Sequence, residues 1–253
     1  MSTVRDSLKY HQSPYTVTDH AAEADTILTA CSKEFPKLLP YLLEPSNLLV
    51  LGGLRGVSPY ATFGTHDKLA RSPEFTAFLH RFGLRLIREQ QSYGQYAGEF
   101  SYMLIHTGAF EALADHYHAV KDWWAPKPKE YDHLNYLDWY MFNLTGCETV
   151  IEEGALPAQW LAEWWTPHNI CFGMLLGYPG TAICSLAAAD TVKRTLGVMP
   201  DMITVEFQYP DTRGAQVSYD IQQADIGSRQ MLTHQKRWQA FFDMLYDAWR
   251  ASL

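Results

Sequence analysis

The chain has 253 residues, 47% hydrophobic and 19% charged, and a formal net charge of −8 at pH 7. Length alone admits one large domain or two small ones, and a chain this long can bury a core without a metal or a disulfide. The acidic balance, with no run of Lys or Arg, excludes a general nucleic-acid binder, which needs a basic face to displace counterions.

Residues 1–17 read as an irregular arm, and they lack the apolar h-region of a secretory leader. Four cysteines, at positions 31, 147, 171 and 184, form no C-x-x-C pair. They read as reduced core thiols of a cytoplasmic protein. A first helix is expected from Thr18 or Asp19 as N-cap, with Ala22, Ile27, Leu28 and Cys31 giving partial helical periodicity. Pro36, Pro40 and Pro45 then divide the chain into short pieces. "NLLVLGG", Asn47 to Gly53, is a short apolar run ended by two glycines and reads as a buried strand. A long irregular segment up to Arg71 is expected after it.

Ser72 caps the next helix, with Pro73 at its first position and Glu74 in its first turn, and that helix is expected to reach Ser92. Arg81, Arg85 and Arg88 would then lie on one solvated helix face. "EFSYMLIHTG" (99–108) alternates loosely and suits strand or helix. Thr107 caps a helix stopped by the proline-rich loop at 125–129, and further helices are expected over about 130–143 and from Pro157 to about Thr166. The uncharged stretch from Thr166 to Ala189 is long enough to raise a membrane span. Gly177 and Pro179, however, divide it into two arms too short to cross hydrocarbon, so it reads as a buried helical hairpin at about 168–189. Its Tyr178 then needs a polar partner inside the protein.

"MITVEFQY" places Ile203, Val205, Phe207 and Tyr209 on one face, and "AQVSYDI" returns with Val217, Tyr219 and Ile221 alternating. A C-terminal β-hairpin over about 202–222 is predicted. The last helix starts near Ser228, with Leu232, Trp238, Phe241, Phe242, Leu245 and Trp249 facing inward. The fold class is α+β, mainly helical, as a single domain over 1–253.

Several constellations carry chemistry. In "LGGLRGVSPYATFGTHDK" the glycines Gly52, Gly53 and Gly56 let backbone N–H groups turn toward a ligand. Arg55, projecting among them from the loop, can hold a carboxylate or phosphate. His66 and Asp67, at the far end of this 52–67 loop, are the candidates for acid–base work. Carboxylate-x-x-histidine pairs occur at Asp115/His118, with Glu111 a turn earlier, and at Glu130/His133. A bundle site would need two more carboxylates that the sequence does not identify. His168, Cys171 and Cys184 lack a fourth zinc ligand. No metal site is assigned, and no cofactor is indicated. Two readings follow. One is an enzyme or binder of a small anionic molecule at the 52–67 loop; the other is a non-catalytic interaction domain or homo-oligomer that uses its aromatic-rich helices.

Overall fold

The computed structural model describes residues 16–61, 63–90, 100–110, 173, 176–179, 182, 196–197, 202–208, 216–222, 227 and 229–250, and most of these are helical. Helix α1 spans Val17–Glu34 and is started by a capping box. The Asp19 N–H donates to the Thr16 hydroxyl at 3.2 Å, and the Thr16 N–H donates to the Asp19 carboxylate at 2.9 Å. The cap is therefore Thr16 rather than Thr18 or Asp19, and Val17 is helical rather than part of an arm. His20, Ala21, Ala24, Ile27, Leu28 and Cys31 form the buried face of α1. Ala22, expected on that face, is exposed.

Helices α2 (Leu39–Leu42) and α3 (Pro45–Leu51) follow. The run expected as a strand is α3. Pro45 sits at its first turn after an extended Glu44, and Leu48 to Leu51 are fully buried. A segment buried on every side has no polar face to set a helical period, which is why its apolar run resembled a strand. The segment after it is also ordered. It contains β1 (Val57–Ala61), a single 3₁₀ turn at Gly64–His66, and the short α4 (Asp67–Ala70).

Helix α5 (Pro73–Arg81) begins as expected, with the Phe75 N–H donating to the Ser72 hydroxyl at 3.1 Å. It stops well before Ser92, because Gly83 adopts φ +65 and the chain continues as strand β2 (Leu84–Gln90). Arg81, Arg85 and Arg88 thus share no helix face. Arg81 instead reaches Glu34 of α1 at 2.6 Å. Strand β3 (Phe100–His106) lies between β1 and β2 in an antiparallel sheet of order β1-β3-β2. Arg85 pairs with Ile105 and Val57 also pairs with Ile105, and the β1 register shifts between Ser58 and Ala61. Residues 107–110 are helical, so Thr107, expected as the cap, lies inside the helix, and the preceding His106 side chain accepts the Ala109 N–H at 3.2 Å.

Strands β4 (Met202–Gln208) and β5 (Gln216–Gln222) pair antiparallel. Ile203 stands opposite Ile221, Val205 opposite Tyr219 and Phe207 opposite Val217; residues 209–215 between them lie outside the described residues. Of the helical hairpin expected at 168–189, Gly173 and Ala182 are helical and 176–179 form the turn between them. Gly177 has φ +69, and the Tyr178 N–H donates to the Gly173 carbonyl at 3.0 Å, the long bond of a glycine-terminated helix. The rest of that stretch lies outside the described residues.

Helix α6 (Arg229–Arg250) closes the described chain, packing on α1 and β4. Met231, Trp238, Phe241, Phe242 and Leu245 are buried, whereas Leu232, expected to face inward, is exposed. These side chains join those of α1, α3, β3 and α5 in one hydrophobic cluster with α3 at its middle. Among the described residues, no helix is long and apolar enough to cross a membrane.

Candidate functional site

The turn after α3 carries the residues of interest. The Gly53 N–H donates to the Val50 carbonyl at 2.9 Å, and the N–H groups of Leu54 and Arg55 both reach the Leu49 carbonyl, at 2.8 and 3.1 Å. With Gly53 at φ +67, this is a Schellman termination. The Gly52 N–H donates to Leu48 at 3.0 Å. The N–H groups of residues 52–55 are thus bound to carbonyls of α3, and the glycines shape the turn rather than form an N–H cradle. Gly52 is also a packing requirement, since a Cβ there would lie 2.6 Å from the Phe241 ring and 2.9 Å from the His20 carbonyl oxygen. The Gly56 carbonyl accepts from the His106 N–H at 2.9 Å.

What the turn delivers is Arg55. Expected on a loop surface, it is 3% exposed. Its Nη1 donates to the Ser46 hydroxyl at 3.1 Å, and Ser46 meets the buried Ser58 of β1, oxygen to oxygen, at 2.9 Å. The guanidinium carbon lies 5.2 Å from the Tyr178 ring centre and 4.8 Å from that of Trp238, within the range of cation–π attraction. Burial lowers the pKa of Arg55 to about 10, and the Tyr178 side chain, through its charge and as a hydrogen-bonding neighbour, works in the opposite direction, so the group stays charged at neutral pH. Its Nε and Nη2 are buried and have no hydrogen-bond partner. No carboxylate of the described residues pairs with it.

A supporting wall comes from α6. The His234 Nε2–H donates to the Gly177 carbonyl at 2.8 Å, and its ring lies 4.3 Å from that of Trp238. One turn along, Arg237 donates to His20 Nε2 at 3.0 Å, and His20 Nδ1–H donates to the Gly52 carbonyl. Across the turn, His106 Nε2–H donates to Glu23 at 3.1 Å, while its Nδ1 accepts the Ala109 N–H at 3.2 Å. With both nitrogens engaged, His106 ties β3 and the following helical turn to α1.

His66 and Asp67 form a separate group. The Tyr41 hydroxyl and His66 Nδ1 are 3.1 Å apart, and the two rings meet edge to face. Asp67 accepts the Tyr102 hydroxyl and pairs with Arg71 at 2.5 Å. The two residues, although adjacent, hold different partners, and neither shares a described contact with Arg55. Among the described residues no group of three or more His, Cys, Asp or Glu side chains is placed to hold a metal. Glu111, Asp115, His118, Glu130, His133, His168, Cys171 and Cys184 lie outside the described residues. Sequence reasoning found Arg55 but not Ser46, Trp238 or the His20–Arg237 contact. The only signal for a partner was the buried hydroxyl expected of Tyr178.

The chain was compared with protein-family models, curated proteins and solved structures, and it matches none of them.

Proposed function

We propose that the chain binds a small anionic molecule at Arg55, as a binding protein or as an enzyme acting on that molecule. The observation that carries the reading is a guanidinium buried to 3% exposure with two nitrogens unpartnered. Buried charges are ordinarily paired, because an unpaired one forfeits its hydration without return. An anion supplied from solution would complete the site. His66 and Asp67 enter this reading as the acid–base groups a reaction would draw on, and the binding role stands without them. A cytoplasmic setting is supported by Cys31, which is unpaired, fully buried and pushed up to about 12 by that burial.

The alternative, an interaction domain or homo-oligomer, has less support. The large apolar side chains exposed among the described residues are Leu196, Leu232 and Met244. Leu232 and Met244 are separated by roughly 18 Å along α6, so they form no contiguous patch.

The test is thermal denaturation with small anions, each matched to a neutral isostere, in the wild type and in Arg55→Gln. A ligand at about 100 times its Kd stabilises the folded chain by roughly 2.7 kcal/mol, a rise of several degrees in Tm. The rise should appear with anions only and vanish in Arg55→Gln. If no anion raises Tm, or if the variant responds as the wild type does, the reading fails.

A further inference from the structure

The nitrogens left open on Arg55 specify the shape of the ligand as well as its sign; this inference rests on the anion-site reading above. A guanidinium presents its five N–H bonds in a fixed planar fork. The Nη1 position, cis to Cδ, is taken by Ser46. Nε and Nη2, the two open nitrogens, share the opposite edge, where their N–H bonds run parallel. That edge matches the two coplanar oxygens of one carboxylate.

Two further observations separate a carboxylate from a phosphate or sulfate. The guanidinium lies over the rings of Tyr178 and Trp238. Ring faces carry negative charge, so the out-of-plane oxygens of a tetrahedral anion would stand toward repulsive surfaces, whereas a coplanar carboxylate has none. Charge gives the same answer. One buried guanidinium balances one negative charge, and a dianion would leave a surplus in a site where the described side chains meeting Arg55 are Ser46, Tyr178 and Trp238, none of them a cation.

We infer that Arg55 is a carboxylate clamp: it holds a small monocarboxylate side-on through Nε and Nη2. Ser46, itself tied to Ser58, is the positioning residue that fixes the rotation of the guanidinium through Nη1. The Ser46 hydroxyl needs no contact with the ligand for this role.

The experiment uses the full chain and four probes: propionate, benzoate, inorganic phosphate and phenyl phosphate, with propionamide and benzamide as neutral controls. Binding is read by calorimetry and by the nitrogen-15 resonance of the Arg55 Nε–H. The carboxylates should bind about tenfold or more tightly than their phosphate counterparts. They should also move the Nε–H proton downfield, as a direct charge-assisted hydrogen bond does. Arg55→Lys keeps the charge but not the edge, and should weaken benzoate or propionate by about tenfold or more. Ser46→Ala should weaken the same probes less, with the Nε–H shift reduced. Phosphate or phenyl phosphate binding as well as the carboxylates would overturn the clamp and leave the anion site standing. Carboxylate binding that Arg55→Lys leaves unchanged would overturn the clamp as well. Binding by none of the four probes would overturn both. Should Arg55→Lys not fold, the wild-type ranking and the Nε–H shift decide alone.

Discussion

His20 and Arg237, 217 residues apart in sequence, meet at 3.0 Å, with the guanidinium donating to the imidazole Nε2. The same ring donates from Nδ1 to the Gly52 carbonyl, so it is held neutral with one proton on a stated nitrogen. This contact joins α1, α6 and the turn that carries Arg55. It also opposes protonation, since a second ring proton would abolish the acceptor and place a cation against a cation.

Stability should therefore fall on acidification. Burial first, and then the charge of Arg237, hold the His20 pKa below its ordinary value of 6.5, against the opposing pull of the Gly52 carbonyl and of Glu23 and Asp19. Above pH 6.5 both folded and unfolded chains carry a neutral ring. As pH drops below that value the unfolded chain takes up a proton that the folded chain refuses, down to the folded pKa. Urea midpoints between pH 8 and 5 should fall for the wild type and fall less for His20→Gln. Equal slopes in the two proteins would show that His20 does not carry this dependence. The comparison is needed because Glu44, raised by burial, acts in the opposite direction at lower pH.

Gly177 and Gly83 offer a matched pair. Both have positive φ, +69 and +65, but a Cβ on Gly177 would collide with the Leu54 carbonyl oxygen, while nothing lies within 4 Å of one on Gly83. Gly83→Ala should lower stability by about 1–2 kcal/mol through conformation alone. Gly177→Ala should lower it by a further ~1–3 kcal/mol, because the neighbour is backbone and cannot rotate away. Chemical denaturation of the two variants measures the difference, and equal losses would refute the close approach of the two turns.

At the start of α1, Thr16→Ala should lower stability by about 1 kcal/mol. Thr18→Ala, at an exposed position within the helix, should stay within ~0.5 kcal/mol. The reverse order in thermal melts would move the cap to where the sequence alone suggested.

How far sequence could be read depended on whether the signal was local. Ser72-Pro73-Glu74 starts α5 in three adjacent residues, and Gly177 ends a helix through its own φ; both were legible. Alternation made β4 and β5 legible too, because one pleated face is apolar. The α3 segment was not legible, since burial on all sides removes the periodicity that separates helix from strand. The end of α5 was missed because "LRLIRE" fits either period, and the deciding feature is the positive φ of Gly83. At the candidate site, a lone arginine among glycines stood out, while its burial did not. That burial depends on Tyr178 and Trp238, far along the chain, and no local pattern announces them. His66 and Asp67 stood out as a polar pair, while their partners Tyr41 and Tyr102, distant in sequence, did not.

Arg55→Met separates a functional arginine from a structural one. Methionine keeps much of the aliphatic stem and removes a buried charge that has two unpartnered nitrogens. Relief of that unpaired group is worth roughly 1–3 kcal/mol, against roughly 0.5–2 kcal/mol of cation–π attraction lost at Tyr178 and Trp238. Ser46 keeps Ser58 as its partner. The ligand-free variant should thus melt at the wild-type temperature or a few degrees above it, while its response to carboxylates disappears. A guanidinium whose removal costs no stability is not required for folding, as the anion-site proposal expects. A loss of more than about 2 kcal/mol in Arg55→Met would instead mean that the guanidinium holds the α3 turn to α6, and the anion-site reading would then lose its ground.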